Sequence, residues 1–65
     1  MLSMKELTLV KDGEAWVEYG SNLYEWIGTD EKGRNILSDV NDGYAIYMPD
    51  YVLLNSSEFY FTFKF

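Results

Sequence analysis

The chain has 65 residues and a net charge of −6, from eleven acidic and five basic side chains, and contains neither cysteine nor histidine. A chain this short makes one domain, residues 1–65, and buries only about 60% of its unfolded surface, without disulfide or thiolate–metal reinforcement. The missing residue types exclude His-based triads, Cys–His pairs and His- or Cys-ligated zinc, and the acidic balance disfavours nucleic-acid backbones and anionic membranes as partners.

In chain order, residues 4–10, with apolar Leu7, Leu9 and Val10, are predicted as a strand. Asp12-Gly13 suits a two-residue hairpin turn, and residues 14–19 return as a second strand. That register pairs Lys11 with Glu14, Val10 with Ala15, Leu9 with Trp16 and Thr8 with Val17, and it sets Trp16 on the polar face beside Glu14 and Glu18. After the break at Gly20-Ser21-Asn22, residues 23–27 form a third strand, with Leu23 and Ile27 on one face and Tyr24 and Trp26 on the other. Residues 28–33 are a polar loop with two glycines, and residues 35–40 a fourth strand, a single helical turn being the alternative. Asn41-Asp42-Gly43 suits a type I turn closed by a glycine bulge, and residues 44–48 are a fifth strand.

Pro49 ends that strand or sits on an edge. Residues 51–54 are compatible with a short strand or one helical turn, and Asn55-Ser56-Ser57 is a turn cluster. In the closing segment Phe59, Phe61, Phe63 and Phe65 recur every second residue, with Tyr60, Thr62 and Lys64 in the gaps. Only an extended strand puts four such rings on one face.

These elements predict an all-β fold: a small antiparallel barrel or highly curved sheet of five to six short strands, SH3-like or OB-like, with room for one short helical turn. The segment Met48-Pro49-Asp50-Tyr51-Val52 resembles the Pro-x-x-Tyr-Val stretch near the end of SH3 domains, with one residue fewer between Pro and Tyr. No family is assigned on it.

Chemistry is sparse. Asp39, Asp42, Asp50, Asp30 and Glu31 read as solvated turn residues, because a calcium loop with Gly43 at its sixth position would need oxygen ligands where Val40 and Pro49 stand. No phosphate-loop glycine pattern occurs, so no metal and no cofactor are expected, and the chain is expected not to be an enzyme.

The aromatic residues form the one constellation suited to act, since Tyr and Trp dominate binding hot spots. The expected function is a non-catalytic protein-binding module, a small acidic inhibitor of phage or mobile-element type that occupies a functional or basic site on a larger host protein. Its partner would be a nucleic-acid-handling or defence enzyme. Trp16, Tyr24 and Trp26 are the expected anchors, with Glu14, Glu18 and Glu25 setting charge complementarity. Trp26→Ala is then expected to weaken binding while sparing the fold. Phe59, Phe61, Phe63 and Phe65 are the expected interface of a homodimer. The alternatives are a small-ligand-binding β domain and a structural subunit of a homo-oligomeric assembly. The opening residues lack a basic segment followed by a long apolar run, so a cytoplasmic location is expected.

Overall fold

The computed structural model describes residues 1–64; Phe65, the last of the expected interface rings, lies outside them. The elements in order are α1 (Met4–Lys11), β1 (Ala15–Tyr19), β2 (Asn22–Thr29), β3 (Asn35–Asp39), β4 (Ala45–Met48), α2 (Asp50–Asn55) and β5 (Phe59–Phe63).

The first element corrects the expected strand. Ser3 Oγ accepts from the Glu6 N–H at 3.1 Å, and Glu6 Oε1 accepts from the Ser3 N–H at 2.9 Å. This reciprocal capping box starts a helix. At the other end the Gly13 N–H donates to the Val10 carbonyl at 3.1 Å and the Glu14 N–H to the Leu9 carbonyl at 3.0 Å. Those two bonds, with Gly13 at φ 82°, make a Schellman stop. Asp12-Gly13 therefore ends a helix instead of turning a hairpin, and the cross-strand pairs expected between residues 8–11 and 14–17 do not form.

The five strands make one antiparallel sheet in the order β4-β3-β2-β1-β5. β1 to β4 form a meander. α2 then carries the chain from the β4 edge back to the opposite edge, where β5 joins β1 in the register Val17↔Phe61. A closed barrel would need the two edges, β4 and β5, to meet. They do not; residues 4–11, which could have supplied a closing strand, form α1 instead. The sheet is open and β-rich, with helical cover on one face.

That cover explains the core. Leu2, Leu7, Val10 and Leu53, from the start of the chain and the two helices, pack with Ala15, Val17, Tyr24, Leu37 and Phe59 of the sheet. Each fully buried aliphatic side chain contributes about 2 kcal/mol. The Leu2 N–H donates to the Leu53 carbonyl at 2.9 Å, tying the chain start to α2. α2 resolves the ambiguity over residues 51–54 in favour of the helical turn. Tyr19 stacks on Phe59 with ring centroids 4.7 Å apart.

The core also holds a polar cross-brace. Asn35 is fully buried; its Oδ1 accepts from Trp26 Nε1 at 2.9 Å, and its Nδ2 donates to the Met48 carbonyl at 2.9 Å and to Asp50 Oδ1 at 2.7 Å. Asp50 also pairs with Lys11 at 3.1 Å, so one network joins β2, β3, α2 and α1. The Asn35 amide, then Lys11, hold the Asp50 carboxyl below the ordinary carboxylate range against the opposing effect of desolvation.

The β2–β3 turn is shorter than expected. β2 runs on to Thr29 through a bulge between Trp26 and Gly28. The loop itself closes on Asp30, whose Oδ1 accepts from the Lys32 and Arg34 N–H groups at 2.9 and 2.8 Å and whose Oδ2 pairs with Arg34 Nε at 2.7 Å. Asp39 is buried rather than solvated. Its Oδ1 takes the Asn41 and Asp42 N–H groups at 2.7 and 3.2 Å, which satisfies it and builds the Asn41-Asp42-Gly43 turn. No helix among the described residues is long and apolar enough to cross a membrane.

Candidate functional site

With helices packed on one face only, the other face of the sheet has no covering layer among the described residues. Side-chain alternation assigns Ala15, Val17 and Tyr19 of β1 to the helix side and Trp16 and Glu18 to the open side. The pairings Glu18↔Leu23, Glu18↔Tyr60, Trp16↔Thr62 and Glu25↔Ser38 extend this open face across four strands. Ile36↔Tyr47 continues it to the β4 edge.

At the β5 side, Tyr60 is 58% exposed and stands opposite Glu18. Lys64, just past β5, reaches across β1 to Glu25 on β2, Nζ to Oε2 being 2.9 Å. Trp16 lies on the strand between them, half-buried, with its Nε1 shielded from solvent and without a hydrogen-bond partner. At the β4 side the Arg34 guanidinium stands 5.3 Å from the Tyr47 ring centroid, within cation–π range.

Ion pairs engage Lys11 with Asp50, Arg34 with Asp30 and Lys64 with Glu25, which leaves eight of the eleven carboxylates without one among the described residues. Glu18 is one of the eight. It sits between Leu23 and Tyr60, where an incoming cation would find a carboxylate with apolar and aromatic neighbours.

The expected anchors divide. Trp16 and Glu18 share the open face, as anticipated, and Glu25 joins them there beside Leu23, on the side of β2 opposite the expected anchors Tyr24 and Trp26. Tyr24 does not: it is 7% exposed and belongs to the core. Trp26 is on the helix side too, packed against the core and hydrogen-bonded to Asn35. The two rings do share a face, as expected, but it is the buried one. Their assignment failed because β2 is nearly as apolar on both faces, so alternation gave the partition without the direction. Glu14 precedes β1, exposed at the end of the helix stop.

The phenylalanine stripe grades from core to surface: Phe59 is buried, Phe61 is half-buried and meets Phe63 edge-on at 4.7 Å, and Phe63 is 54% exposed. Tyr60, Leu23 and Tyr47 belong to the open face although they were not among the expected contact residues. The signal for Tyr60 was present in the sequence, because a strand that turns Phe59 and Phe61 toward the core must turn Tyr60 the other way.

No group of three or more metal-ligating side chains occurs among the described residues, and no enclosed cavity is found among them either. The arrangement suits recognition across a broad, shallow surface. No protein-family model, curated protein or solved structure matches the chain.

Proposed function

We propose that this protein is a non-catalytic protein-binding module that uses its open sheet face against a basic surface of a larger protein. The observation that carries this reading is the composition of that face: Trp16, Leu23 and Tyr60 surround Glu18, a carboxylate with no ion-pair partner among the described residues. A Lys or Arg from the partner would neutralise Glu18 while stacking on Tyr60, and the net charge of −6 would speed the encounter. An acidic inhibitor that occupies the functional site of a nucleic-acid-handling or defence enzyme, of the kind made by phages and mobile elements, fits this chemistry.

Affinity capture with matched variants tests the reading. Tyr60→Ser alters the open face; Tyr51→Ser alters a tyrosine on α2 that is at least as exposed. A stoichiometric partner retained by wild type and Tyr51→Ser but lost by Tyr60→Ser is the expected result. Equal retention by both variants would refute the assignment of the face.

A further inference from the structure

β5 is an edge strand, and the parity of its hydrogen bonds shows which backbone groups are unused. The Lys64 N–H donates to the Glu14 carbonyl at 3.3 Å, in the same register as Ala15↔Phe63. In an antiparallel ladder the bonded pairs alternate, so Tyr60, Thr62 and Lys64 turn their N–H and C=O groups toward β1. Phe59, Phe61 and Phe63 turn theirs outward. The Met1 ammonium donates to the Phe59 carbonyl, which covers that end of the edge. Phe61 and Phe63 remain, each with an outward donor and acceptor that no other described residue meets.

From this edge we infer that the protein pairs with a second copy of itself, β5 against β5, antiparallel about a two-fold axis at Thr62. Two outward residues spaced by two form a self-complementary set. Phe61 of each protomer exchanges both backbone bonds with Phe63 of the other, and the Phe59 carbonyl keeps its Met1 ammonium. The exposed Phe63 ring gains the partner's Phe61 as a cross-strand neighbour, which offsets part of the ordering cost.

The charges agree with this register. It sets the partner's Lys64 directly opposite Tyr60, and Tyr60 is opposite Glu18. Within one protomer Lys64 already reaches a carboxylate two strands away, Glu25. The same reach from the partner's β5, across β5, ends at Glu18. Edge pairing leaves each open face uncovered and places the two side by side; a Lys64 drawn to Glu18 of the other protomer gives up its own Glu25 and takes the carboxylate assigned above to the binding partner, so the dimer contact and that binding role compete at Glu18.

Sedimentation of the full chain from micromolar to millimolar concentration, with two variants, tests the pairing. Phe63→Pro removes an outward donor that the β1 ladder does not use, so circular dichroism should stay that of wild type. Wild type should dimerise with concentration, and Phe63→Pro should weaken the dimer by about tenfold or more. Thr62→Cys puts the chain's only thiol at the two-fold axis, in the closely spaced non-bonded pair, and mild oxidation should link two chains by a disulfide. A wild type that stays monomeric at all concentrations overturns the inference. So does a folded Phe63→Pro that dimerises like wild type, or a Thr62→Cys protein that resists cross-linking.

Discussion

Asn35→Ala should be among the most damaging single substitutions in this chain. The residue is 0% exposed, and its amide satisfies the Trp26 indole N–H, the Met48 carbonyl and one Asp50 oxygen. Truncation strands the first two and leaves a small void. Each abandoned buried polar group costs about 1–3 kcal/mol, and the lower end applies because Trp26 is only half-buried. With the void, the loss is about 3 kcal/mol. A 65-residue domain has roughly 3–10 kcal/mol in total, so the variant approaches the unfolding threshold. At about 4–8 °C per kcal/mol, Tm should fall by about 12–24 °C.

Asn35→Leu separates packing from hydrogen bonding, because it refills the space and satisfies nothing. Trp26→Phe keeps a ring and orphans only Asn35 Oδ1, for about 1 kcal/mol. Urea denaturation followed by tryptophan fluorescence reads Asn35→Ala and Asn35→Leu, and far-ultraviolet circular dichroism reads Trp26→Phe. The expected order of loss is Asn35→Ala, then Asn35→Leu, then Trp26→Phe. An Asn35→Leu protein as stable as wild type would refute the reasoning, since the amide network would then stabilise nothing that packing could not.

Ser3→Ala removes the acceptor for the Glu6 N–H and should cost about 1 kcal/mol, read as a lower urea midpoint with an unchanged slope. Gly13→Ala should cost a similar amount, about 1 kcal/mol, through backbone strain alone, because no atom lies within 4 Å of the added Cβ and φ is +82°. Acid titration should show stability declining below about pH 4. Asp50 is held low by Asn35 and Lys11. Asp30 is held low, despite desolvation, by the Arg34 and Lys32 N–H groups and the Arg34 guanidinium. A carboxyl depressed in the fold contributes stability above its unfolded pKa and loses that contribution as pH falls through the folded value. Asp50→Asn should therefore narrow the stability difference between neutral and acid pH, and an unchanged difference would count against the Asp50 pairing.

The β-rich character, the turn at Asn41-Asp42-Gly43 and the strand nature of the phenylalanine segment were legible because each rests on local chemistry. Alternation within β1 also gave the shared face of Trp16 and Glu18. The N-terminal helix was not read, although Ser3-Met4-Lys5-Glu6 has the capping-box spacing. Residues 7–10 are apolar at three of four positions, which fits either period, and Asp-Gly serves a helix stop as well as a hairpin. Which face of β2 turns inward depends on where α1 and α2 pack. That is a long-range fact, and it moved Tyr24 and Trp26 from the surface to the core. Asn35 gave no signal, because a buried amide is defined by its partners, and these lie on β2, β4 and α2.

The most direct test of the open face is the affinity of the captured partner for two charge reversals, Glu18→Lys on the face and Glu31→Lys in the remote β2–β3 loop. Glu18→Lys should raise Kd by about tenfold or more, whereas Glu31→Lys should act mainly on the association rate and lose its effect at high salt. Equal losses from the two reversals, or a Glu18→Lys protein that binds like wild type, would contradict a contact centred on Glu18, Trp16 and Tyr60.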